Sequence, residues 1–281
     1  MKKIAVIGAG TMGNGIAHVF AQKGFQVHLI DTQKAALDKA IATIEKNLDR
    51  QVHKGIISSE EKAHSLRRIA HFTSIELGVT DVDLVVEAAT ENSEIKKSIF
   101  KQIDQFAKPG CILATNTSSI SIAQLAEVTE RPEKVIGMHF MNPVPIMKLV
   151  EIINGAFTDA ATTNTIVELT RTIDKIPCVV KDAPGFIANR ILMPMINEAI
   201  LAFSEGISDA NTIDQIMKLG MAHPMGPLQL ADYIGLDVCR NILDIMQEGF
   251  NNDKYAPCAL LVEMVKAGKL GVKTGEGFYK Y

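Results

Sequence analysis

The chain has 281 residues, enough for one large domain or two ordinary ones, and its 47% apolar and 22% charged residues are those of an average globular protein. A net charge of −3 supplies no strong field for nucleic acid or anionic lipid, and no apolar run approaches the roughly 20 residues of a membrane-crossing helix. Cys111, Cys178, Cys239 and Cys258 lie far apart without metal-ligand spacing, so they read as buried thiols in a reducing compartment, the cytoplasm.

The first residues begin with two lysines, as a signal peptide does, but the apolar stretch at 4–7 stops at Gly8. It reads instead as a buried strand. Further short apolar runs follow at 27–30, 69–72, 84–86, 112–114 and 135–138, with two more, at 149–153 and 178–180, at the far edge of the sheet. Runs of this length, apolar on both faces, suit a parallel sheet covered by helices on each side. Helical patterns lie between them, such as Met12, Ile16, Val19 and Phe20, or Ile95, Ile99 and Ile103. The alternation predicts an α/β, doubly wound sheet over 1–181, with a helical arm at about 33–66 inserted between the second and third strands. After Asp182-Ala183-Pro184-Gly185 the strand signal ends. Residues 182–281 read as an all-α domain. Its first long helix carries Ile187, Ile191, Met195, Ile196, Ile200 and Phe203 on one stripe and should kink at Pro194. More helices are predicted over 209–219, 228–246 and 258–267. The methionines of this half suit either adaptable core filling or a soft subunit interface.

Gly8-Ala9-Gly10-Thr11-Met12-Gly13 is a G-x-G-x-x-G run between a strand and a helix, the context that makes it a Rossmann-type dinucleotide loop. Its glycines permit a tight turn, close backbone approach to a diphosphate, and helix–strand packing. The exposed N–H groups of Gly10, Thr11, Met12 and Gly13 and the helix dipole then favour that anion. The second strand ends at Asp31, an acid placed to accept hydrogen bonds from ribose hydroxyls and to repel a 2′-phosphate. No arginine follows, so NAD is favoured over NADP.

Three later strands end in polar clusters, Glu87-Ala88-Ala89-Thr90-Glu91-Asn92, Thr115-Asn116-Thr117-Ser118-Ser119 and His139-Phe140-Met141-Asn142-Pro143. Open α/β sheets bind ligands beyond this edge. Any one cluster could equally be turn or capping chemistry, as at 117–119. Glu151 lies within a strand that should be largely buried, where a carboxylate needs a partner. The prolines at 143 and 145 favour a turn that brings it to His139. A carboxylate on one imidazole nitrogen fixes the tautomer and raises the basicity of the other, giving a general base for neutral pH. Spacing alone equally allows a core histidine and a solvated glutamate.

Together, the glycine loop, Asn116-Thr117-Ser118-Ser119, His139-Phe140-Met141-Asn142-Pro143, Glu151, Pro184-Gly185-Phe186-Ile187-Ala188-Asn189-Arg190 and Lys273-Thr274-Gly275-Glu276-Gly277-Phe278-Tyr279 resemble the 3-hydroxyacyl-CoA dehydrogenase family from end to end. The likeness is strongest to its short, stand-alone bacterial members that act on 3-hydroxybutyryl-CoA. The resemblance implies an NAD-binding domain, a helical domain that forms a homodimer, and an active site in the cleft between them. It implies that His139 takes the proton of an (S)-3-hydroxyl, that Glu151 orients it, and that Ser118 and Asn189 bind substrate oxygens. It adds Glu91, Lys96, Ser118, Asn142 and Lys273 to Asp31 and the glycines as cofactor contacts. On spacing alone, Lys96, Asn142 and Lys273 read as ordinary surface residues. Coenzyme A carries phosphates, so basic residues should line its site. Arg50, His53 and Lys54, at the end of the arm's first helix, are candidates, with Lys54 the substrate-binding choice. Two alternatives share the scaffold: an NAD dehydrogenase of another small hydroxy acid, and a non-catalytic, crystallin-like NAD-binding protein. No metal, nucleic acid or membrane is expected as a partner.

Overall fold

The apolar runs of the first half assemble into one eight-stranded sheet. A computed structural model describes all residues, Met1–Tyr281, and divides them into two compact units, Met1–Asp182 and Ala183–Tyr281. In the first unit the strands are β1 (Lys3–Ile7), β2 (Gln26–Ile30), β3 (Ile69–Phe72), β4 (Leu84–Glu87), β5 (Ile112–Thr115), β6 (Val135–Phe140), β7 (Leu149–Asn154) and β8 (Ile176–Lys181). The helices are α1 (Thr11–Gln22), α2 (Lys34–His53), α3 (Ser59–Arg67), α4 (Ile75–Val79), α5 (Ser93–Phe106), α6 (Ile122–Ala126) and α7 (Ala160–Thr172). Strand order is β3-β2-β1-β4-β5-β6-β7-β8, so the chain reverses its winding between β1 and β4, where doubly wound sheets leave a ligand crevice.

The sheet departs from the expected parallel pattern at one pair. β6 and β7 run antiparallel, because a short loop joins them in place of a crossover helix. The edges also differ from the prediction of strands buried on both faces. β8 alternates between half-buried and exposed positions, and Cys178 on it is exposed, which corrects the reading of all four cysteines as buried. Burial raises the other thiols, to about 12 at Cys111 and Cys239.

α2 and α3 form the helical arm between β2 and β3. Turn chemistry sets the start of α3: the Glu61 amide donates to Ser58 Oγ (3.1 Å) and the Ser58 amide to Glu61 Oε2 (2.6 Å), a capping box. Where α2 lies along α1, His18 is 1% exposed, with Gln51 beside Nε2 at 3.3 Å and no partner for Nδ1. Burial lowers its pKa from an ordinary 6.5 to about 4. The unfolded chain therefore takes up a proton near pH 6.5 that the folded chain refuses until about pH 4, and stability falls as pH drops through that window. At 1.36 kcal/mol per pKa unit the loss is roughly 3 kcal/mol. Urea titrations between pH 7 and pH 4 should show this slope reduced in His18→Leu, and an unaltered slope would refute the assignment.

The second unit holds α8 (Ala188–Ser204), α9 (Ala210–Gly220), α10 (Pro227–Ile234), α11 (Leu236–Phe250) and α12 (Ala259–Lys266). α8 continues through Pro194. The predicted helix over 228–246 is two helices, because Gly235, at φ 102°, turns the chain where no helix can continue. Met193, Ile196, Leu228, Leu243 and Met246 share one buried cluster. Buried Asp232 ties down the C-terminus by accepting from the Phe278 and Tyr279 amides at 3.0 and 2.9 Å. No helix of either unit is long and apolar enough to cross a membrane.

Candidate active site

The β1–α1 turn is built for close backbone approach. Gly8 has φ 98° and lies so near β4 that a Cβ would sit 2.6 Å from the Ala88 carbonyl oxygen; a Cβ on Gly13 would collide with the Gly8 carbonyl. Any side chain at either position would push α1 off the strand. Beside the turn, Asp31 Oδ2 accepts the Ala9 amide (2.8 Å) and Oδ1 the Gln33 amide (2.9 Å), which fixes the carboxylate at the end of β2. A cleft of about 440 Å³ runs past Gly10 and Thr11 to Asn142, Pro143 and Pro145. Asn142, which spacing alone did not single out, thus shares a cleft with the glycine loop. A turn that only glycines can form, an anchored acid and this cleft fit a bound dinucleotide.

At the end of β4, Glu87 is completely buried and fully occupied. It accepts from the Ala89 amide (2.7 Å), Thr115 Oγ1 (2.7 Å) and Lys96 Nζ (2.7 and 2.8 Å). Lys96 is not the surface residue its spacing implied. It is 1% exposed, with its ammonium against Glu87, 3.5 Å from Glu91 and 3.4 Å from the Ala89 carbonyl. Glu91 in turn organises the loop after β5. One of its oxygens accepts from Thr117 Oγ1 (2.6 Å), Ser119 Oγ (2.8 Å) and the amides of Ser118 (2.9 Å) and Ser119 (3.1 Å). Burial opposes its charge. The Lys96 ammonium and these donors outweigh that and hold the carboxyl below the usual range. So 117–119 is a turn folded on a carboxylate, and at the start of α6 the Ala123 amide donates instead to Asp182 Oδ2 (3.1 Å).

Ser118 Oγ lies 3.1 Å from His139 Nε2, and His139 Nδ1 lies 2.9 Å from Glu151 Oε2. The antiparallel pairing causes the second contact. His139 and Glu151 are register partners on β6 and β7, and directly opposed residues of an antiparallel pair project from the same face. The carboxylate on Nδ1 directs Nε2 towards Ser118, so a hydroxyl or carbonyl oxygen near Ser118 is within reach of a proton donor and acceptor. Asn116 Oδ1 accepts the Phe140 amide (2.8 Å) and ties the serine loop to the end of β6.

A second cleft, of about 680 Å³, is lined by the basic Lys23, Arg50, Lys54, Lys148 and Lys175 together with apolar Val19, Ile56 and Ile146. Arg50 and Lys54 of the predicted anion-binding set line it; His53 does not. In the second unit, Asn189 is buried in the first turn of α8, its amide donating to the Gly185 carbonyl (3.1 Å). Lys273 pairs with Asp237. Sequence reasoning placed Glu87 in a strand-end polar cluster without foreseeing its pairing with Lys96, and it missed Lys175.

A dinucleotide loop, a carboxylate at the ribose position and a histidine–glutamate pair beside a serine define a nicotinamide-dependent oxidoreductase of the doubly wound class. Comparison with known proteins narrows this. The 3-hydroxyacyl-CoA dehydrogenase NAD-binding domain matches residues 3–183 and the C-terminal domain of the same enzymes matches 185–281. The chain is 51% identical over 281 residues to a 3-hydroxybutyryl-CoA dehydrogenase of Bradyrhizobium diazoefficiens, covering 100% of this chain and 96% of that one. It is 48% identical to that of Clostridioides difficile, covering 99% of each. The crystal structure of (S)-3-hydroxybutyryl-CoA dehydrogenase from Ralstonia eutropha matches with a TM-score of 0.97 at 47% identity, over 100% of this chain and 99% of that one. The chain belongs to the 3-hydroxyacyl-CoA dehydrogenase family.

Proposed function

We propose that the chain oxidises (S)-3-hydroxybutyryl-CoA and related short 3-hydroxyacyl-CoAs to the 3-oxo compounds, and catalyses the reverse reduction, with His139 as the acid–base group. The observation that carries this reading is the Ser118–His139–Glu151 line, with contacts of 3.1 and 2.9 Å, beside a dinucleotide loop. NAD, when bound, supplies the hydride acceptor. His139 Nε2 takes the proton of the 3-hydroxyl as C3 gives up hydride, and Glu151 stabilises the imidazolium through Nδ1. In reduction, protonated His139 donates to the 3-oxygen. Ser118 holds that oxygen.

Asp31, the glycine loop and Asn142 hold the cofactor. Glu91 orders the Ser118 loop. The ammonium of Lys96 serves as its buried counter-charge, and both residues stand with the cofactor contacts. The second cleft takes the coenzyme A moiety: Lys54 and Arg50 meet its phosphates, and the apolar wall suits its uncharged arm. Exposed Ile216, Leu219 and Met221 at the end of α9 support a homodimer through the helical unit. Four free cysteines suit the reducing cytoplasm.

A steady-state assay of 3-oxoacyl-CoAs from C4 to C16 with NADH and NADPH tests the reading. Turnover of 3-oxobutyryl-CoA is expected with NADH at least about tenfold more efficient than NADPH, since Asp31 repels a 2′-phosphate. Equal turnover of free 3-oxobutyrate would favour a small-hydroxy-acid dehydrogenase, and no turnover of either a non-catalytic scaffold.

A further inference from the structure

We propose that Lys175 is a positioning residue that pins the 142–148 loop and thereby sets the dinucleotide cleft and the acyl-CoA cleft together; the second half of this rests on the function proposed above. Lys175 sits at the turn between α7 and β8 and is 7% exposed. Its ammonium donates to two main-chain carbonyls of that loop, those of Val144 and Met147, each at 2.6 Å. The loop makes its own turn, with the Ile146 and Met147 amides donating to the Pro143 carbonyl at 2.9 and 3.0 Å. Lys175 takes up two of the carbonyls this turn leaves over. Burying a cation is costly, and it is held here by neutral acceptors, which localises a large electrostatic effect on one loop. Burial and the nearby Lys148 push its pKa below the usual lysine range.

The loop is the shared wall of the two clefts. Asn142, Pro143, Val144 and Pro145 line the cleft at the glycine loop, and Pro143, Pro145, Ile146 and Lys148 line the basic one. It also joins the strands that carry His139 and Glu151, but the ladder holds those two residues, not the loop. Loosening the loop should therefore weaken both ligands and spare the chemical step.

Lys175→Met keeps the aliphatic stem and removes the donors. In this variant KM for NADH and KM for 3-oxobutyryl-CoA are each expected to rise about tenfold with kcat within about threefold of wild type. Trypsin cleavage after Lys148, located by mass spectrometry, should be about tenfold faster, because the loop opens locally. Ile166→Val, in the buried core of the same unit, lowers stability and should move none of these readouts. Unchanged cleavage after Lys148 overturns the proposal, as does a rise in only one KM or a fall in kcat alone. If the methionine variant does not fold, Lys175→Gln, whose shorter amide cannot span both carbonyls, carries the same readouts. A wild-type protein that leaves 3-oxobutyryl-CoA untouched would remove the proposed substrate, and the cleavage rate would then decide on Lys175 alone.

Discussion

His139→Gln is expected to lower kcat for 3-oxobutyryl-CoA reduction about a thousandfold, with KM for NADH within about threefold of wild type. Glutamine fills much of the imidazole volume and keeps a polar contact to Glu151, yet it cannot exchange a proton near neutrality. The variant therefore isolates proton transfer from packing. Glu151→Gln should lose less, about a hundredfold, because the imidazole remains but loses the charge that favours its protonated form. Both partners are buried, so solvent cannot replace the carboxylate. Stopped-flow traces of NADH oxidation would locate the loss in the chemical step. Near-wild-type kcat in His139→Gln would remove the acid–base assignment altogether.

Lys96→Met should cost about 3–5 kcal/mol of stability in urea unfolding, because it leaves Glu87 buried without its cation. Both side chains are at most 1% exposed, so water offers no compensation. The double variant Glu87→Met/Lys96→Met should recover part of the loss, since it removes the isolated charge at Glu87 but leaves Glu91 without its ammonium and the Ala89 amide and Thr115 hydroxyl without their acceptor. It should not recover activity: Glu91 also loses its neighbouring ammonium, 3.5 Å away, and Glu91 is the acceptor on which the Ser118 loop folds. A double variant as unstable as Lys96→Met would mean that the pair fills space and that its charges matter little.

Strand positions were legible because each is an apolar run of three to five residues, most of them cut off by a polar residue or glycine. The glycine loop and Asp31 were legible for a related reason: backbone geometry and one charge leave few residue choices. The direction of β7 was not, since an apolar run carries no polarity and only the short Pro143–Pro145 turn hinted at a reversal. Cys178 was misread as buried although its run was placed at the far edge of the sheet, because an apolar run does not show whether an edge strand is covered. At α5 the stripe Ile95, Ile99 and Ile103 predicted the buried face, but the real one is Lys96, Ile99, Phe100 and Ile103, with Ile95 46% exposed. A lysine enters a core only when acceptors wait there, and Glu87, which supplies those of Lys96, comes from a strand end nine residues earlier. The same holds for Lys175, whose partners are carbonyls and therefore have no sequence signature. His139 and Glu151 stood out because a buried carboxylate demands a partner, although spacing alone left that partner open.

The reversal at β7 makes the chemistry and the ligand walls separately adjustable. The ladder between β6 and β7 sets His139 opposite Glu151, whatever the length of chain that joins the strands. Insertions or deletions between residues 142 and 148 can therefore remodel two clefts and leave His139 and Glu151 in register. A one-residue slip of the ladder would instead turn Glu151 to the opposite face and end the pairing at a stroke. Variation in substrate range thus has a permissive segment in this fold, bounded on both sides by strands in which it is forbidden. A library confined to that loop would search new acyl groups without putting the acid–base pair at risk.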